Sequence, residues 1–179
     1  MAGRSFAAID LPSAITDLLA DLDPGIKGLR WLPKGQMHLT LSFLETVPLD
    51  AENLLREKLD KVYVPPFFLP VQGVGTFSRK GRPSVVWTGV GTSHPHLFVL
   101  HRRIQDAVLA AGLEPDLKPF RPHITVGRAR GVSAATLRPF LRKNENADFG
   151  LIHVTGFTLY SSVLSREGAM HIQEFQKEF

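Results

Sequence analysis

Residues 37–44 (MHLTLSFL) alternate strictly, with His38, Thr40 and Ser42 on one side of the alternation and Leu39, Leu41 and Phe43 on the other. A period of two is the signature of a strand with one polar face. The pattern returns at 123–128 (HITVGR), where His123 and Thr125 alternate with Ile124 and Val126 after a loop carrying Pro115, Pro119 and Pro122.

Around these segments the period switches repeatedly between 2 and 3.6. Residues 6–11 predict a short strand, and Ile15, Leu18, Leu19 and Leu22 follow at helical spacing between Pro12-Ser13 and the stop Asp23-Pro24-Gly25. Asp50 is the expected N-cap of a helix carrying Leu54, Leu55, Leu59 and Val62, which ends before Pro65-Pro66. Strands at 67–77 and 84–90 make a hairpin around the basic turn from Ser78 to Arg82. Ser93 is the expected cap of a long helix with the stripe Leu97, Leu100, Ile104, Val108 and Ala111, and Gly112 supplies its stop. A short helix at 134–141, limited by Pro139, precedes strands at 151–161 and 169–175 joined at Ser165-Arg166-Glu167-Gly168. Hairpin-like pairs interleaved with helices argue for mixed or antiparallel sheets, so the predicted class is α+β with two similar halves. A length of 179 residues without linker or low-complexity stretch predicts a single domain over 1–179.

Composition narrows the chemistry. With no cysteine, disulfides, thiol nucleophiles and thiolate metal sites are excluded. The apolar run before Asp10 and Pro12 is too short for a signal segment, and nothing approaches the ~20 apolar residues of a membrane span, which predicts a soluble, cytoplasmic protein. A net charge of +4 and a pI near 9.6 favour anionic partners, nucleic acid among them.

The duplicated His-x-Thr-x, at His38 and His123, is the feature that carries chemistry. On a strand, each histidine lies about two rises, roughly 6.5 Å, from its threonine on the same side, so imidazole and hydroxyl can face one ligand. Two such strands side by side suit phosphodiester transfer: one imidazole deprotonates an attacking water while the other, protonated, gives its proton to the departing ribose oxygen. Neither step needs a metal or a cofactor. Thr40 and Thr125 would bind the nonbridging phosphate oxygens, and Arg121 and Arg128, which flank the second motif, would add charge-assisted bonds. Burying two such polar faces without a ligand would leave four groups to satisfy.

RWLPKGQMHLTLSFLETV around His38, PFRPHITVGR around His123, the opening FAAIDLP and the closing LYSSVLSREGA together resemble the RNA 2′,3′-cyclic phosphodiesterases of the two-histidine phosphoesterase superfamily, once named 2′-5′ RNA ligases. The resemblance implies a bilobal α+β fold whose two related lobes, with outer helices, set the motifs across a central cleft. It also implies action on RNA ends that bear a 2′,3′-cyclic phosphate, with a 2′-phosphate as product; the expected oligomeric state is a monomer. Carried over by motif position, His38 becomes the proton donor and His123 the acceptor, with Thr40, Thr125 and Arg128 as substrate-binding residues. Ser42 and Glu45-Thr46 depart from the family's usual flank, outside the His-x-Thr core.

Other residues make weaker claims. His94, His96 and His101 lack the spacing of a zinc motif and read as a solvent-facing helix start, while His153 and His171 lie in alternating strands with no catalytic signal. Trp31, Phe43, Trp87 and Tyr160 are candidates for stacking on a base, Trp31 first among them, and Arg79, Lys80 and Arg82 for contact with an RNA backbone. Two rival functions fit the same residues: a ligase or phosphodiesterase working on 2′-5′ linkages, and a non-catalytic RNA-binding module whose histidines only hold phosphate. Turnover of a cyclic-phosphate end separates catalysis from binding.

Overall fold

In the computed structural model, which describes residues 4–90, 94–165 and 168–179, the chain runs β1 (Arg4–Ile9), α1 (Ser13–Asp21), β2 (Leu29–Trp31), a 3-10 turn (Lys34–Gln36), β3 (Leu39–Thr46), α2 (Leu49–Asp60), β4 (Phe67–Arg79), β5 (Arg82–Val90), α3 (Pro95–Ala110), β6 (His123–Ala129), α4 (Ala134–Lys143), β7 (Asp148–Val154), β8 (Gly156–Ser165) and β9 (Gly168–Glu178). The described strands form one antiparallel sheet in the order β7-β4-β5-β6-β3-β1-β8-β9, with β2 added on β6. Leaving β2 aside, four of the described strands lie on each side of the β3–β6 seam, which is closed by a single register pair, Leu39 with Ile124. The two halves predicted from the alternation therefore meet at the two His-x-Thr segments.

Apolar alternation turns Leu39 and Ile124 into the core, where both are fully buried together with Leu97, Leu100 and Ile104 of α3. α3 packs on β3 and on α2, and α1 packs on β7 and the 3-10 turn. His38 and His123, one residue before these core positions, consequently point away from the helices.

Several boundaries differ from the sequence expectation for identifiable reasons. Thr155 separates β7 from β8, so the expected strand over 151–161 is two strands; at the break, a side chain on Gly156 would meet the Lys177 carbonyl at 2.2 Å. The β4–β5 turn contains only Lys80 and Gly81, both at positive φ (52° and 75°), the geometry that matches strand twist and lets the pairing run out to Arg79 and Arg82. Asp50 lies inside the first turn of α2, where its charge faces the positive helix end, and Pro48 holds the cap position. Pro139 does not limit α4: it removes one bond of the ladder, while the Ser133 side chain accepts from the Thr136 N–H and Leu137 anchors the helix in the core. Ser93, the expected cap of α3, lies outside the described residues, as do Arg166 and Glu167 of the expected last turn.

Candidate active site

Antiparallel pairing of Leu39 with Ile124 fixes the neighbours on the opposite face: His38 falls beside Thr125, and Thr40 beside His123. The two histidines occupy opposite corners of a four-residue cluster, each next to the other motif's threonine. His123 is the first residue of β6, whereas His38 immediately precedes β3.

Each motif strand then carries one extra residue. Against β1, Ala8 pairs with Thr40 and Ala7 with Ser42, so Leu41 is bulged; against β5, Trp87 pairs with Thr125 and Val86 with Gly127, so Val126 is bulged. A bulge reverses the alternation beyond it. Ser42, expected on the histidine face, is turned inward and only 2% exposed, while Phe43, expected in the core, is 56% exposed at the cleft. On β6 the same device turns Arg128 onto the face of His123 and Thr125. Phe43 and Arg128 stand at equivalent places, five residues after their histidines. Both bulged carbonyls are held from outside the sheet ladder: His101 Nδ1 donates to Leu41 O at 2.8 Å, and the Leu32 N–H donates to Val126 O at 2.8 Å.

His38, Thr40, His123, Thr125 and Arg128 all line one cleft of about 360 Å³, together with Arg4, Phe6, Arg30, Gln36, Phe43 and His171 among others. All five candidate site residues thus share one cavity. Three arginines give it a positive field suited to an anion.

The imidazoles are held alike. His123 Nδ1 lies 2.6 Å from the Arg121 carbonyl, and since a carbonyl only accepts, Nδ1 carries the hydrogen and the neutral ring keeps its lone pair on Nε2. His38 bonds to the backbone of Gln36, again two residues earlier. Phe77 meets the His123 ring edge-on at 4.8 Å, and Phe6 stacks on His38 at 4.7 Å with Tyr160 behind it at 5.4 Å. Burial pushes His38 down to about 4; the nearby His171 and His123 act in the same direction, and Asp10 and the Gln36 bond oppose them. Burial also lowers His123, against the pull of its Arg121 bond.

The sequence reading missed His171. On β9, it meets His38 at 5.3 Å and Phe6 at 4.9 Å, both edge-on. Nothing local in residues 169–175 signals this, because the approach arises only when the β8–β9 hairpin folds back beside β1. Arg30 was likewise unassigned.

The remaining candidates have structural duties. Trp31 donates from Nε1 to Leu19 O at 2.9 Å and packs on Gly127, so it is not free to stack on a base. Trp87 covers Gly75. Tyr160 donates to Asp10 at 2.7 Å. His94 and His96 pack on Phe67, half-buried rather than solvent-facing, His101 stacks on Phe120 at 4.1 Å, and His153 stacks on Phe68 at 4.4 Å. Arg79, Lys80 and Arg82 are exposed on the hairpin tip and do not line the cleft. Among the described residues no cluster of three or more His, Asp or Glu side chains has the arrangement of a metal site, and no helix is long and apolar enough to cross a membrane.

With this geometry in hand, comparison with known proteins gives consistent matches. The sequence profile of the 2′-5′ RNA ligase superfamily matches residues 12–163. An RNA 2′,3′-cyclic phosphodiesterase of Archaeoglobus fulgidus is 30% identical over 172 residues, covering 94% of this chain and 96% of that protein. The Escherichia coli protein of the same name is 31% identical, covering 91% and 89%. Among solved structures, E. coli LigT in apo form superposes with a TM-score of 0.78 at 26% identity, over 97% of this chain and 95% of LigT. The same protein complexed with 3′-AMP gives 0.76 at 26% identity, over 97% and 96%.

Proposed function

This chain belongs to the 2′-5′ RNA ligase superfamily and is an enzyme of the hydrolase class, and on that footing we propose that it opens 2′,3′-cyclic phosphate ends of RNA to 2′-phosphomonoesters by proton transfer through His38 and His123. The observation that carries the reading is the diagonal arrangement of two histidines and two threonines across the β3–β6 seam. An imidazole on each side of one phosphorus can serve an in-line displacement, in which the nucleophile enters on the face opposite the departing group.

In the proposed step, His123 Nε2 takes a proton from water as the water oxygen bonds to phosphorus. The P–O3′ bond breaks, and protonated His38 gives its proton to O3′. The 2′-O–P bond survives, leaving the phosphate on the 2′ oxygen. Thr40 and Thr125 donate to the nonbridging oxygens, and Arg128 adds a charge-assisted bond as negative charge concentrates there. The enzyme would act as a monomer, one cleft per chain.

Because two imidazoles supply both proton transfers, hydrolysis of an oligonucleotide ending in a 2′,3′-cyclic phosphate is expected to continue in excess EDTA with a 2′-phosphate as its product. Chromatographic separation of the isomeric 2′- and 3′-phosphates reads this directly. A 3′-phosphate product, or loss of turnover on chelation restored by one divalent ion, would sink the mechanism.

A further inference from the structure

Beyond His38 and Thr125 the cleft leads into a second hollow of about 360 Å³, lined by Gly28, Leu29, Arg30, Arg128 and Arg130. Its form follows from the pairing of β2 with β6. Arg30 stands directly opposite Arg128, and the next step of the ladder is a bond from the Arg130 N–H to the Gly28 carbonyl at 2.8 Å. Arg128 near the end of β6, Arg130 just beyond that strand and Arg30 on β2 line the same hollow. Across from Arg130 the partner strand has no side chain. Gly28 sits at φ +88°, and a Cβ there would lie 2.8 Å from the Arg130 carbonyl, so the position is closed to other residues.

The described lining of this hollow is basic and apolar. Three arginines line a space that adjoins the cleft proposed to hold the cyclic phosphate. Guanidinium forks match phosphate oxygens in geometry as well as charge. The hollow shares Arg30 and Arg128 with the cleft, and it extends from the corner that carries His38.

We propose that Arg30, Arg128 and Arg130 form a second phosphate subsite, which takes the internucleotide phosphodiester on the 5′ side of the terminal nucleotide. The proposal rests on the function given above, because that function fixes the direction. If His38 protonates the departing O3′, the terminal ribose lies on the His38 side and the rest of the strand leaves over β2 and the end of β6. Arg130 lies roughly 16 Å along the chain from Thr125 at about 3.3 Å per residue, far enough to meet the next phosphate rather than the cyclic one, while Arg128 stands between the two and is shared by both. The enzyme would then distinguish an RNA end from a free cyclic nucleotide by the charge of one additional diester.

The test compares kcat/KM for a nucleoside 2′,3′-cyclic phosphate with that for a dinucleotide carrying an internucleotide phosphate and the same cyclic end. The unmodified enzyme is expected to favour the dinucleotide by about tenfold or more, as for a charge-assisted contact. Arg130→Gln, which does not touch the catalytic cleft, should lose most of that preference while keeping its rate on the mononucleotide. A dinucleotide whose internucleotide linkage is an uncharged methylphosphonate should lose the preference in the unmodified enzyme and show no further loss in Arg130→Gln, since both changes remove the same interaction. Equal kcat/KM on both substrates in the unmodified enzyme, or an Arg130→Gln defect of the same size on both, would overturn the subsite. Failure to turn over either substrate would overturn the function itself, and the subsite with it.

Discussion

Alanine at either His38 or His123 is expected to lower kcat/KM on a cyclic-phosphate RNA end by ~10²-fold or more, the scale of losing one positioned proton-transfer group. Each ring is bonded to a backbone position two residues earlier and faces the same cleft, so each is oriented for one task. The double variant should cost little more than the worse single one, because the groups act as a unit and removing one already stops the concerted transfer. Thermal unfolding of the same variants separates chemistry from folding: the cleft already has open space on one side of both rings, so the transition should remain cooperative. His38→Ala also removes the ring stacked on Phe6, and a larger stability loss is expected there than at His123. Near-normal turnover by either folded variant would contradict the pairing.

The second large effect is in pH. An unperturbed imidazole has a pKa near ~6.5, but burial holds His38 at about 4 and also lowers His123. Catalysis needs one ring protonated and the other neutral. A lowered folded-state pKa means the neutral form persists to lower pH, so at pH 7 both rings of the empty enzyme are neutral, and with a pKa of about 4 only ~10⁻³ of His38 is protonated. The bell in kcat/KM should therefore have its optimum below pH ~6.5 and fall about tenfold per unit above it. A bound anionic phosphate favours the imidazolium form, so the alkaline limb of kcat should lie at higher pH than that of kcat/KM. Parallel profiles of the two constants check this, and coincident limbs at or above pH 7 would contradict it.

The two His-x-Thr strands, the core stripe of α3 and its stop at Gly112 were legible because each depends on local period and chain punctuation. Family resemblance supplied the donor and acceptor assignments, which no local pattern carries. The bulges at Leu41 and Val126 were not legible, because a bulge is a mismatch in residue count between two strands distant in sequence. Strict alternation put Ser42 in the cleft and Phe43 in the core, and one extra residue exchanged them. Arg128 was selected for its proximity to the motif, while the reason it faces the cleft is the same hidden bulge. His171 and Arg30 reach the site through β9 and β2, and their contribution becomes visible only once the order of strands is known.

The most direct measurement is the pH dependence of the residual kcat/KM in the two single-histidine variants. The enzyme lacking His38 no longer needs a protonated donor and should lose the alkaline limb, retaining the acid limb set by His123. The enzyme lacking His123 should lose the acid limb and keep the alkaline one set by His38. Exchanged limbs would reverse the donor and acceptor assignments while keeping the pair; a complete bell surviving in both variants would contradict proton transfer by these two histidines.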